Sequence, residues 1–305
     1  MNDFLATAPF DLYELSLFHL VVKHRSFTKA AEAAGVTQSA ITRQMQGMEN
    51  SLGIDLLERT TRSVRITKAG EFLFRESIKL LGDVDQSLRQ LKEDFANARK
   101  EIRIGVSRSI GLAYLPGFFH ANLKRNSNVS YRVSYQPSGE ILSALEANEL
   151  DVGVICPPQR LPRTVSITHR FTDAFTFVAP TEAATSFQAL SKSKAARITW
   201  LAKQSWLLLE EATNSGRELR RWLSRFGLQV EPAMQLDSFD LIITLVSLGM
   251  GVSVVPKRAL ALYGQRKTLT RLPIPDCFER ELVVAMRRHR KKPQHLADFV
   301  ENVLF

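Results

Sequence analysis

Apolar residues in the first hundred positions recur with two different periods, and the changes of period mark out the elements. Leu12, Leu15, Phe18, Leu20 and Val22 predict a helix over Asp11 to Lys23. Ser26 or Thr28 caps a second helix, an alanine-rich run to Ala34, and Gly35 suits the left-handed residue that ends it. Thr37 caps a third. Its apolar positions Ile41, Met45, Met48 and Leu52 share one face, and Gly53 closes it. Leu56 to Arg59 and Ser63 to Ile66 read as short strands joined by a turn at Thr60, Thr61 and Arg62. Thr67 then caps a helix of about 28 residues, about 42 Å long. Phe74, Ser77, Leu81, Val84, Leu88, Leu91 and Phe95 alternate along it at steps of three and four, a heptad seam with one polar member. Such a seam pairs with its own copy or lies on its own domain.

From Glu101 the pattern changes to alternating strands and helices. Ile102 to Val106, Val129 to Tyr135 and Asp151 to Ile155 are strands. A helix through Leu115 and Phe119 joins the first two, and one from Ser138 to Asn148 joins the second and third. Strand-helix-strand order implies parallel pairing with helices on the sheet faces. A second such unit starts at Phe175 to Ala179. It continues through Trp206 to Leu209, a helix from Gly216 to Phe226, Met234 to Leu236, a helix across Leu241 to Leu248, and Val252 to Val255. Glu281 to Met286 is a further strand, and Pro293 to Phe305 a closing helix.

The polar face of the third helix is informative. Ser39, Thr42, Arg43 and Gln46 lie opposite its apolar stripe, where an ordinary surface helix carries mixed Glu and Lys. Hydroxyls, amides and one guanidinium are groups that bond to base edges and phosphates. Three short helices followed by a basic hairpin have the layout of a winged helix-turn-helix, which places its recognition helix in a DNA major groove. Gln38 and Ser39 occupy the first turn of that helix. Gln suits adenine, and Arg suits guanine or a phosphate. Thr37 is assigned as a cap rather than a contact. Ser26 and Lys29, at the start of the preceding helix, can hold a phosphate, or Lys29 can simply face water. Arg62 at the wing tip is a minor-groove or phosphate candidate. Arg59 reads instead as an anchor of the wing to Glu49 or Glu58.

Composition narrows the partners. The net charge of +10 favours a polyanion. From Lys23 to Lys68 there are eight basic and four acidic residues, and from Lys257 to Lys292 eleven and three, so charge alone does not locate the site. The run from Arg287 to Lys292 is read as a solvated rim in preference to a second phosphate-facing surface. No apolar run is long enough to span a bilayer, and the N-terminus has no basic region of an export signal. Cys156 and Cys277 give no disulfide framework and no metal spacing. These features point to the cytoplasm, with no cofactor and no metal. The six histidines form no metal-binding pair, and there is no nucleophile elbow, phosphate loop or dinucleotide fingerprint, so an enzyme is not expected. A solute-binding protein would fit residues 100–305, but it leaves the N-terminal segment without a role.

Ligands of α/β sheets bind beyond the carboxyl ends of the strands. Hydroxyls cluster there: Ser107 and Ser109 after Val106, Ser138 after Pro137, and Thr213 and Ser215 after Leu209. Together with free N–H groups at helix starts they suit a carboxylate or other small anion. Alternatively, each hydroxyl caps its own helix. Arg108 either adds a charge at the cleft mouth or faces water, and the two cysteines are read as inert thiols.

Taken as a set, these motifs resemble the LysR-type transcriptional regulators over nearly the whole chain. They are Ser26-Phe27-Thr28-Lys29-Ala30-Ala31-Glu32, Val36 to Gln44, Leu56-Leu57-Glu58-Arg59, Thr67 to Gly70, Glu149 to Val154, Ser215-Gly216-Arg217, and Leu248 to Val252 with Val255-Pro256. The resemblance implies an α/β multidomain fold: a winged helix-turn-helix over residues 1–67, a dimerising linker helix over 68–98, and a two-lobed effector domain like a periplasmic binding protein. The first lobe takes residues 99–171 and 276–305, and the second takes 172–275. It also implies a homotetramer built from dimers, double-stranded DNA as partner, and a small-molecule effector contacted by Ser107, Ser109, Ser138, Thr213 and Ser215.

Overall fold

The computed structural model describes residues 8–59, 64–96, 99–111, 113–115, 129–190, 193–261, 268–275, 277–288 and 293–302. The chain divides into two compact units, one of residues 1–98 with 146–148 and one of residues 99–145 and 149–305.

In the first unit α1 (Leu12–His24) opens on a reciprocal cap. The Asp11 carboxylate accepts from the Glu14 N–H at 2.7 Å, and the Glu14 carboxylate accepts from the Asp11 N–H at 3.0 Å. Of the two capping candidates for α2 (Phe27–Ala34), Ser26 is the one used; its hydroxyl accepts from the Lys29 N–H at 3.3 Å. Gly35 follows with φ 68°, a conformation that strains any residue carrying a Cβ, and this lets the chain turn tightly into α3 (Gln38–Leu52). Thr37 caps α3 by accepting from the Ala40 N–H at 3.2 Å. Leu15, Phe18, Val21, Ala30, Ile41, Met45 and Met48 form the buried core between the three helices.

The wing is an antiparallel pair, β1 (Leu57–Arg59) and β2 (Val64–Ile66). Glu49, 6% exposed near the end of α3, accepts from the Leu56 and Leu57 N–H groups at 2.8 and 3.0 Å. Glu49 therefore holds the wing through its backbone. The Arg59 side chain and the turn at 60–63, with Arg62, lie outside the described residues.

α4 (Lys68–Phe95) is the long helix the heptad pattern required, capped by Thr67 through the Gly70 N–H at 3.0 Å. Its seam is not one continuous stripe, which corrects the expectation. Phe74 and Leu81 pack on the winged-helix core, and Ser77 is fully buried beside His19, with Nδ1 and Oγ 3.3 Å apart. The His19 ring stacks on Phe74 at 5.0 Å, and burial, then nearby Lys23, lower its pKa, which favours the neutral imidazole. Beyond that point the apolar positions are bare: Leu88 is 53%, Leu91 56% and Phe95 83% exposed.

The second unit begins with β3 (Lys100–Val106), parallel to both β4 (Val129–Tyr135) and, beyond α5 (Ser138–Glu146), β5 (Val152–Ile155). Residues 116–128, with the expected Phe118 and Phe119, lie outside the described set. There follow β6 (Val165–Pro180), α6 (Thr181–Gln188), α7 (Lys194–Ala202), β7 (Trp206–Leu209), α8 (Asn214–Phe226) and β8 (Pro232–Leu236). The chain closes with α9 (Phe239–Ser247), β9 (Ser253–Pro256), α10 (Lys257–Ala261), β10 (Leu269–Leu272), β11 (Glu279–Arg287) and α11 (Gln294–Asn302).

β6 organises this unit. It is 16 residues long and serves two lobes. Up to Ala174 it pairs with β11 in the sheet that also holds β5, β3 and β4; from Phe175 it pairs with β9, and from Phe177 also with β10. The exchange of partners falls between Ala174 and Phe175, and the chain returns to the first sheet at β11. Each lobe has its own core. Ile102, Ile104, Leu282 and Val284 pack on one face of the first sheet, and Ile141, Leu145 and Val283 on the other. Phe177, Trp206, Leu208 and Ile243 anchor the second lobe.

Replacing Glu49 by Ala leaves two wing N–H groups without their acceptor, at an expected cost of about 1–3 kcal/mol. In the full chain, amide hydrogen exchange at Leu56 and Leu57 should accelerate about tenfold or more while exchange in β3 and β5 stays unchanged. Unaltered exchange at those two amides would contradict the role assigned to Glu49.

Candidate nucleic-acid interface and effector site

On α3, burial of Ile41, Met45 and Met48 turns the polar residues outward. Gln38, Ser39 and Arg43 are exposed, and Thr42 and Gln46 are partly so. Local bonds already orient several of them. The Thr42 hydroxyl donates to the Gln38 carbonyl at 2.9 Å, and the Ser39 and Thr37 hydroxyls lie 3.1 Å apart. Gln38 Oε1 accepts from the Thr28 hydroxyl at 3.3 Å, which ties the first turn of α3 to α2 and leaves its NH₂ outward. Among the described residues no carboxylate pairs with Arg43, and Lys29 is exposed beside the Ser26 cap. A groove of about 780 Å³ under the wing gathers Lys23, Arg25, Arg65 and Arg75 around Phe74, with Glu58 and Glu71. The sequence had treated the first three of these cations only as net charge.

The five serine and threonine candidates of the second unit separate by what their hydroxyls do. Thr213 is a helix cap with both roles taken: it accepts from the Gly216 N–H and donates to the Glu210 carbonyl, each at 2.9 Å. Gly216 permits that turn, since a Cβ there would lie 1.9 Å from the Glu210 carbonyl oxygen. Ser138 opens α5 and is partly buried. The Ser107 main chain is fully engaged, with its N–H donating to Val154 and its carbonyl accepting from Ile110 and Gly111. Its buried hydroxyl has no partner among the described residues.

Ser109 and Ser215 meet at a residue the sequence reading did not single out. Arg280, 1% exposed, sits on β11 directly across from Asp173 on β6, and the two are cross-strand partners. Nε donates to Asp173 Oδ2 at 2.9 Å, and Nη2 reaches the same oxygen at 2.8 Å and the Ser109 carbonyl at 2.9 Å. Nη1 donates to the Ser109 hydroxyl at 3.2 Å and to the Ser215 hydroxyl at 2.6 Å. All five guanidinium N–H groups thus have acceptors, drawn from both lobes. The cation also lies over the Phe175 and Phe239 rings, 5.2 and 5.4 Å from their centroids. A signal for it existed. Arg280 continues the inward alternation of Leu282, Val284 and Met286, and Asp173 that of Phe175, so each strand carries one charge on its apolar face.

At the rim Arg108 is not simply solvated; it pairs with Asp237 of the second lobe at 2.9 Å. Both groups are largely exposed, so the pair adds little stability. Burial, then the neighbouring Glu218, push the Cys156 thiol up to about 12, and burial pushes Cys277 up to about 11. Both shifts favour the protonated thiol at neutral pH. Among the described residues no His, Cys, Asp and Glu cluster could hold a metal ion, and no helix is long and apolar enough to cross a membrane.

Comparison with known proteins agrees with this architecture. Residues 12–71 match the family model for bacterial regulatory helix-turn-helix proteins of the lysR family, and residues 96–304 match the LysR substrate binding domain. The chain is 29% identical over 272 residues to the HTH-type transcriptional regulator BenM of Acinetobacter baylyi, covering 87% of this chain and 86% of that protein. It is 26% identical over 302 residues to the RuBisCO operon transcriptional regulator of Allochromatium vinosum, covering 96% and 95%. Among solved structures, a full-length cysteine-to-aspartate variant of OxyR from Pseudomonas aeruginosa superposes with a TM-score of 0.68 at 20% identity, covering 96% of this chain and 94% of that one. CbnR, a LysR family transcriptional regulator solved with its target DNA, gives 0.64 at 20% identity, covering 96% and 99%. These structural likenesses are likenesses of fold. The two family models between them span nearly all of the described chain, and the protein belongs to the LysR family of DNA-binding transcriptional regulators, with an N-terminal helix-turn-helix and a two-lobed effector-binding domain.

Proposed function

We propose that the protein is a cytoplasmic, non-enzymatic regulator that binds promoter DNA through α3 and responds to a small anionic effector held between its lobes. The observation that carries the DNA reading is the outward face of α3. Gln38, Ser39 and Arg43 are exposed there, fixed from behind by the buried methionines, and no described acid neutralises Arg43. Thr42 and Gln46 extend the face, Ser26 and Lys29 flank it as phosphate contacts, and Arg62 is assigned to the wing tip. Residues 1–67 form the DNA-binding part and 68–98 the linker.

The bare stripe at Val84, Leu88, Leu91 and Phe95 supports pairing of two copies along α4, since large apolar side chains aligned on one helix face favour burial against a partner. Two such dimers make the homotetramer. In the effector domain, with lobes of residues 99–171 plus 276–305 and 172–275, the buried hydroxyl of Ser107, unpartnered among the described residues, and the hydroxyls of Ser109, Ser138 and Ser215 form the contact set. Thr213 supports it as the cap of α8. An effector that binds one lobe angle more tightly shifts the population toward it, and with it the spacing of the DNA-reading helices.

Arg43→Ala and Gln38→Ala should each weaken specific binding by about 1–3 kcal/mol. Fluorescence anisotropy with the upstream intergenic duplex should show log affinity falling linearly with log salt. An affinity flat in salt, or unmoved by either substitution, would overturn the DNA reading. Leu88→Glu with Leu91→Glu should convert the protein to monomers in sedimentation and lower operator affinity together. A double variant that stays oligomeric with its dimers intact would refute pairing along α4.

A further inference from the structure

The groove beneath the wing combines two surfaces that DNA binding alone does not call for together. Its floor is apolar: Val22 of α1, Val64 and Ile66 of β2, and Phe74 of α4. Each packs on the winged-helix core but is only partly buried, so apolar surface remains open to a ligand. Lys23, Arg25, Arg65 and Arg75 stand around that floor, and all four are exposed. Two acids offset part of this charge. Glu58 is the cross-strand partner of Arg65, and Glu71 lies one helical turn before Arg75. Lys23 and Arg25 have no such counterpart among the lining residues. Arg25 is also unusual in its backbone. It ends α1 at φ 49° and ψ 32°, and among the described residues Asn148 is the one other non-glycine residue with positive φ. Glycine or asparagine ordinarily fills such a position, because a larger side chain strains it.

At about 780 Å³ the groove has the size of a small-molecule site. A DNA backbone would engage the cations and leave the floor unused, whereas a molecule with an apolar body and an anionic head engages both. We propose that the groove between the wing, α1 and α4 is a ligand site for an amphipathic organic anion, an alkyl or aryl carboxylate. The body lies on Val22, Val64, Ile66 and Phe74, and the head is held by Arg25 and Lys23, the two cations with no facing acid. A guanidinium fork matches a carboxylate with two parallel hydrogen bonds, which gives the strained Arg25 a role that glycine could not fill. The lining residues all belong to the first unit, so the site is independent of the effector cleft proposed for the second.

The test titrates the full-length protein with octanoate and 2-naphthoate, beside acetate, octanamide and 2-naphthamide. Affinity is read from the slowing of amide hydrogen exchange across Val64 to Ile66, which separates this site from any in the second unit. At least one of the two larger carboxylates should protect these amides, with an affinity at least tenfold above that of acetate and of its own amide. Arg25→Gly relieves the left-handed strain, so its melting temperature should not fall, yet its affinity for that carboxylate should drop about tenfold. Lys23→Ala should show a similar loss. Protection at unchanged affinity in either variant overturns the proposal, and so does acetate or the amide binding as tightly as the carboxylate. Absence of protection by both carboxylates overturns it as well. If in that case Arg25→Gly and Lys23→Ala flatten the salt dependence of operator binding, the groove carries DNA backbone instead.

Discussion

A guanidinium buried to 1% exposure has to find five acceptors, and the second half of the molecule is arranged so that Arg280 finds them. Asp173 takes two of its N–H groups from the facing position of the neighbouring strand, and Ser109 and Ser215 take the other three. The location matters as much as the satisfaction. β6 leaves β11 at Ala174 and joins β9 at Phe175, so the ion pair sits one step from the exchange of sheets. A buried pair of this kind adds little net stability over apolar residues of the same size, because desolvation offsets the attraction. Its effect is specificity. Any lobe arrangement that separates Ser109 from Ser215 strands a buried donor.

The same logic of engaged and unengaged polar groups distinguishes support from recognition elsewhere. Glu49, Thr37, Ser26 and Thr213 each meet backbone N–H groups, and those bonds hold the wing and the helix starts in place. Gln38, Ser39 and Arg43 turn groups outward from that scaffold, and Ser107 keeps a buried hydroxyl unmet among the described residues. α4 divides along its length in the same way. Its first half completes the winged-helix core through Phe74, Ser77 and Leu81, and its second half is an apolar stripe left exposed among the described residues.

Much of this was legible in the residues because it is local. The caps at Thr37 and Thr67, the left-handed turn at Gly35 and the steps of the apolar stripe on α3 depend on neighbours within a few positions. The parallel strands of the first lobe followed from strand-helix order, and β3 pairs β4 and β5 as that order requires. What escaped the reading depends on distant partners. The seam on α4 looks uniform because periodicity cannot show that α1 covers its first half, with His19 against Ser77. The candidate hydroxyls looked equivalent because nothing near Ser109 or Ser215 in the chain announces Arg280. β10 and the first half of β6 were missed for a similar reason: their pairing is antiparallel across about a hundred residues, and short alternating runs identify no partner.

The most direct test of the account is a double-mutant cycle on Arg280 and Asp173 in the full chain, read by urea unfolding of the effector domain. Arg280→Met or Asp173→Leu alone leaves a buried charge unpaired and should cost about 3–5 kcal/mol, whereas the double variant should recover most of that loss. Single costs that simply add in the double variant, to within about 0.5 kcal/mol, would show the two residues to be independent and contradict the claim that their pairing organises the junction between the lobes.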